Sequence, residues 1–199
     1  MKKFKLTSEF IVDISGVKLF RIKALIEFGN VKAGDLGGYI EKEENLSHMG
    51  NAWVSGNARV SGNARVSGDA RVFGNARVSG NARVSSNARV SGDAQVFGDA
   101  RVSGNAQVFG DARVSGDKDY AYAHGFGSCN RTTTFFRLKD GDVGVRCGCF
   151  YGTLAQFRDN VCETHGETKK AQEYLMLADL MELRFEEDEN EVGNRKYVE

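Results

Sequence analysis

One six-residue unit, Gly-Asn-Ala-Arg-Val-Ser, runs eleven times without insertion from residue 50 to residue 115, and this repeat decides what the chain can fold into. Asp replaces Asn, Gln or Trp53 replaces Arg, and Phe replaces Ser at scattered positions, while Ser86 is the one substitute for the leading Gly. A fixed period means a supersecondary unit stacked on copies of itself. Ala and Val lie two apart, so in an extended strand they share a face and the Arg between them takes the other. The Ala-Val face is the predicted core and the Arg face is predicted to meet solvent. Gly followed by Asn or Asp tolerates positive φ and turns a corner after each short strand. A helix of period 3.6 would scatter the Val residues around its circumference and carry Gly in every other turn, which excludes a helical repeat.

The order Val-Ser-Gly-Asn-Ala-Arg resembles the hexapeptide repeat of left-handed β-helix proteins. That resemblance implies a left-handed triangular coil of three hexads, so that residues eighteen apart stack and the repeat makes between three and four coils. The columns are then Trp53, Arg71, Arg89 and Gln107 on one face, Arg59, Arg77, Gln95 and Arg113 on the next, and Arg65, Arg83 and Arg101 on the third. Eight Arg against four Asp leave the repeat at about +4. Arg ladders can track phosphates, but a charged face also keeps strand edges from pairing, and exposed aromatic platforms for single strands are missing. The solvated face is the favoured reading.

The whole chain, 199 residues with 27 basic and 27 acidic side chains, is electrically balanced, so nucleic acid is not its natural partner. The opening MKKFKLTSEF has no apolar stretch behind its lysines, and no run approaches a membrane span. A cytoplasmic protein with its four cysteines (Cys129, Cys147, Cys149, Cys162) reduced is expected.

Residues 1–43 read as an N-terminal β cap: residues 9–14, a Ser15-Gly16 turn and residues 17–27 form a hairpin pattern. A solenoid needs such atypical ends because its terminal coils expose core and strand edges. Residues 31–40 followed by the hexads resemble the YdcK-like subgroup of hexapeptide proteins, whose label as acyltransferases rests on fold. The β-helix is placed at residues 44–117, with residues 44–49 as a degenerate hexad in which Leu46 takes the Ala position and His48 the Val position.

After the repeat, residues 118–185 read as a small α+β (ββαα) module and residues 186–199 as an acidic, frayed tail. Strand patterns cover residues 120–124, 132–138 and 143–149, with a turn at residues 139–142. Thr153 with Gln156 makes a capping box, opening a helix that Gly166 closes, and a second helix spans residues 168–184. The run from Arg146 to Leu154, with Phe157, Val161 and residues 163–166, resembles a domain at the end of uncharacterised bacteriophage and prophage proteins. That setting implies binding of host proteins or host signalling molecules.

Three chemistries compete here. Residues 125–134 combine two glycines with hydroxyls and an Arg, a pattern able to nest an anion; Ser128, Asn130, Arg131, Arg146 and His165 are the candidate ligand-binding residues for a phosphorylated or nucleotide-like ligand. A Gly-rich connector is the plainer account of the same stretch. Cys147, Cys149, Cys162 and His165 form a donor set zinc accepts, though Cys-x-Cys is an unusual spacing and buried free Cys is common. Cys149 beside His165 is the weakest option, a thiolate nucleophile ahead of a helix. The acyltransferase alternative, using an acyl-CoA donor, needs a His base; the repeat holds none, leaving His48 and His124 outside it. The expectation is therefore a non-enzymatic binding protein without catalytic residues, metal or cofactor. It would be a homotrimer by resemblance, its scaffold presenting the C-terminal module to a small ligand or a host protein and so countering host defence. A purely structural multimerisation role is the other alternative.

Overall fold

The computed structural model describes residues 2–128 and 131–186. It is mainly β: a solenoid of about four turns, closed at its start by an antiparallel hairpin and at its end by a sheet carrying two helices. The hairpin pairs β1 (Phe4–Val12) with β2 (Lys18–Ala24), and β2 pairs with β3 (Leu36–Ile40), which then runs parallel to the strand of the second hexad, Arg59–Val60. One solenoid face is thus continuous with the cap: β5 (Arg59–Val60), β8 (Arg77–Val78), β11 (Gln95–Val96) and β14 (Arg113–Val114) complete a seven-stranded sheet. A second face stacks β6 (Arg65–Val66), β9 (Arg83–Val84) and β12 (Arg101–Val102). The third stacks β4 (Trp53–Val54), β7 (Arg71–Val72), β10 (Arg89–Val90) and β13 (Gln107–Val108). Every rung pairs at the eighteen-residue offset the repeat predicts.

The Ala and Val of all eleven hexads are fully buried, as the two-residue alternation requires. The corners depend on positive φ: Gly92 sits at φ 73°, and a Cβ there would come within 2.8 Å of the Gly110 nitrogen one coil on. Ser86 adopts the same conformation at φ 57°, the one non-glycine to do so among the described residues. Corner Asn side chains form a second ladder, with Asn75 Nδ2 donating to Asp93 Oδ1 at 3.1 Å and Asn81 Nδ2 to Asp99 Oδ1 at 3.0 Å.

The degenerate hexad runs two positions away from the expected register. Leu46 bridges to Val66 and takes the Val position, while His48 lies outside the core column. The extra length follows Leu46: eight positions separate Leu46 from Val54, whereas Ile40 to Leu46 is the usual six even across the 3-10 turn Glu43–Asn45, which buries Asn45. Asn45 Nδ2 donates to Gly62 O at 3.1 Å and Ala64 O at 2.9 Å, replacing backbone donors that the turn diverts.

Backbone polarity explains the two ends. Along the solenoid each N–H donates to a carbonyl of the following coil, as Arg59 N does to Ala76 O at 2.9 Å. The first coil is left with unclaimed carbonyls and the last with unclaimed N–H groups. At the start, Lys3 is buried and donates its Nζ to Ala52 O at 2.8 Å and Gly50 O at 3.2 Å. At the end the partners are acceptors: Asp117 Oδ1 takes Arg101 N at 3.0 Å, Thr134 Oγ1 takes Gln107 N at 2.9 Å, and Asp119 Oδ2 takes Ser115 N at 2.7 Å.

The C-terminal sheet is antiparallel, in the order β15 (Tyr120–Phe126), β16 (Arg131–Arg137), β17 (Val143–Cys147) and β18 (Phe150–Thr153). Four strands form it. The last hairpin, turning at Gly148 with φ 60°, divides the stretch that reads as one strand through residue 149. Helix α1 (Leu154–His165) begins at Thr153, whose hydroxyl accepts from Gln156 N while Gln156 Oε1 accepts from Thr153 N. Gly166 caps it, and α2 (Lys169–Phe185) packs back against it. Alternation along β16 divides two cores: Phe136 joins the solenoid interior, and Phe135 joins Phe157, Tyr174 and Met181 under the helices. The sheet is the floor of the solenoid on one side and the bed of the helices on the other.

Candidate functional site

The ladder arginines are in place. Among the described residues, none of the repeat's eight guanidiniums makes an ion pair, although Arg113 lies over the Phe97 ring at 5.6 Å. Unpaired, closely stacked cations with water on one side are a standing attraction for anions. What separates the three faces is what walls them.

On the third face both ends are walled. Beyond β13 the turn at Gly148 and the start of β16 rise over the last rungs, enclosing a groove of about 330 Å³. Arg89 and Gln107 form its floor, Asn87 and Asn105 the corner, and His124, Arg131 and Thr132 the opposite wall. Among the described residues no carboxylate lines it. His124 Nδ1 is 3.0 Å from Thr132 Oγ1, which fixes the ring against the strand. Two guanidiniums, an imidazole, amides and a hydroxyl make a donor-rich, acid-free pocket suited to a phosphoryl group.

Of the residues expected from sequence to bind a ligand, Arg131 lies in this groove. Arg146 faces the solenoid too, but stacks over Phe109 at 5.1 Å and donates to Cys149 O at 3.4 Å. Ser128 and His165 sit on the helix side around Tyr174: its hydroxyl accepts from Ser128 N at 3.0 Å, and its ring stacks on His165 at 5.8 Å between centroids. Burial raises the pKa of the Tyr174 phenol, which keeps it a neutral donor and acceptor. Asn130, with Cys129, lies outside the described residues. Arg89, His124, Asn87, Asn105 and Gln107 were not among the candidates. The signal for the ladder residues is the eighteen-residue column, legible only with knowledge of which face the C-terminal sheet overhangs.

The cysteine readings do not assemble. Among the described residues no three His, Cys, Asp or Glu side chains lie close enough to share a metal ion. Cys147 accepts from Thr133 Oγ1 at 3.2 Å within the sheet, whereas Cys149 and Cys162 are exposed on a turn and a helix. Strand β18 separates Cys149 from the start of α1, so the thiol does not sit at a helix N-terminus. His48 is held structurally. Its Nδ1 accepts from Lys3 N at 3.1 Å, its ring stacks on Phe4 at 4.4 Å, and burial lowers its pKa.

The repeat geometry also decides what the chain is similar to. Its hexads match the YdcK beta solenoid repeat. The family model fits residues 52–68, 58–74, 64–80, 70–86, 76–92 and 94–108, all within the solenoid. No curated protein matches the chain. No described helix is long and apolar enough to cross a membrane.

Proposed function

We propose that this protein is a non-enzymatic binding protein, a solenoid scaffold whose C-terminal sheet completes a pocket for a small phosphorylated ligand. The observation that carries the proposal is the meeting of Arg89 from the solenoid with Arg131 and His124 from the sheet, in a groove that no described carboxylate lines. Three groups that favour negative charge, with none opposing them, bind phosphate better than any neutral ligand of the same size. The left-handed coil, the homotrimer and the role against host defence belong to the same proposal, carried by the resemblances of the hexads and of the C-terminal segment.

Native mass spectrometry of freshly purified protein tests it. The expected spectrum shows three chains and an added mass per chain that disappears in Arg131→Ala. A bare protein that also fails to take up added tripolyphosphate overturns the binding function, and a monomer overturns the trimer.

A further inference from the structure

The groove at Arg89 continues along the same face. Arg89 also lines a second hollow of about 490 Å³ toward the N-terminal end, with Arg71, Trp53, Phe73, Val31, Leu36 and neighbouring polar groups. Its character is different. Phe73 is 38% exposed and Leu36 52%, and Phe28 packs edge-on behind Trp53 at 5.4 Å, so the hollow has a fixed aromatic and aliphatic surface open to solvent. Asn51 gives its side-chain Nδ2 to Asp69 at 2.8 Å.

From this continuity we infer that the ligand is a nucleotide, its phosphoryl groups held at Arg89, Arg131 and His124 and its base laid against Phe73 and Leu36. The inference rests on the phosphate-binding reading of the first groove and names the class of molecule that fits both. From the Trp53 rung to the Gln107 rung is three inter-strand steps, about 14 Å. The trough is walled at one end by Asn30, Asp35 and Leu36 and at the other by His124 and Gly148. This limits the ligand to a short molecule and excludes a long polymer lying along the face. A bare phosphate chain would leave the apolar hollow in water. An anion carrying a flat ring covers the apolar surface and meets the Arg71 guanidinium on the way.

Calorimetric titrations of the full chain with ATP and with tripolyphosphate, both without metal, test the inference. ATP is expected to bind at least about tenfold more tightly, the effect of removing one ring's worth of apolar surface from water. Phe73→Ser is expected to erase that advantage and leave tripolyphosphate binding unchanged. The fold accepts this change, since most hexads carry Ser at that position. Arg131→Ala is expected to weaken both ligands. Equal affinity for ATP and tripolyphosphate, or an ATP preference untouched by Phe73→Ser, overturns the nucleotide inference with the phosphate pocket intact. Failure of both ligands to bind removes the pocket as well.

Discussion

Lys3 shows how one residue serves a repeat that cannot finish itself. The first coil offers carbonyls with no following donors, and a long side chain ending in an ammonium reaches two of them from the side. Burial lowers its pKa from 10.5 to about 8, against a smaller raising effect from Asp69. The sign of the pH dependence follows. Between about pH 8 and 10.5 the unfolded chain holds the Lys3 proton and the folded chain has released it, so this group makes stability rise with pH across that window. Below pH 8 both states carry the proton and the contribution is flat. Urea unfolding at pH 7 and pH 9.5 should show wild type gaining relative to Lys3→Met; an identical pH response in the two proteins would mean Lys3 is not buried as an ammonium. Ser86 is a residue-scale exception of another kind. It holds a left-handed conformation that costs a side chain on the order of 1 kcal/mol, and the ten Gly residues at the same hexad position avoid that cost.

At the scale of elements, the ends of the solenoid are matched to the direction of its hydrogen bonds, donors at the carbonyl end and acceptors at the N–H end. Thr134 states the rule most simply, since it is wholly buried and its hydroxyl is the acceptor for Gln107 N. Thr134→Val keeps the shape and removes the acceptor, so it should cost about 1 to 3 kcal/mol, with amide exchange accelerated at Gln107. Unchanged stability would show that another group serves that N–H. The elements differ in how plainly the sequence announces them. Ala and Val two apart, with Gly at each corner, define strands, core face and column register, and the Thr153-Gln156 box with Gly166 brackets α1. The cap registers are harder. Leu46 and His48 read as an ordinary hexad because nothing in sequence shows that the corner between Leu46 and Val54 takes two extra residues. The β17–β18 hairpin is hidden because Arg146 to Thr153 is continuous in strand-forming residues and its turn rests on a single Gly148. The groove was legible only in half: Arg131 stands out beside glycines and hydroxyls, while Arg89 is one of eight equivalent arginines until the sheet overhangs its face.

Over the whole molecule, one antiparallel sheet divides two cores and thereby makes a groove that neither part holds alone. Its inner face carries Phe136 into the solenoid and its outer face carries Phe135 under the helices, which fixes the strand holding Arg131 relative to the rung holding Arg89. The other two faces bear arginines that are likewise without ion pairs among the described residues and lack this wall, so position and not charge count should select the ligand. That is the central claim, and titration of tripolyphosphate into three variants tests it directly. Arg89→Ala and Arg131→Ala should each weaken binding by about tenfold or more, as expected for loss of a charge-assisted hydrogen bond worth roughly 1.5–3 kcal/mol. The double variant Arg65→Ala with Arg83→Ala, which removes two charges from the second face where each single variant removes one, should bind like wild type. Equal weakening by all three would show that the chain attracts anions through its overall field, and the groove would lose its claim to be the site.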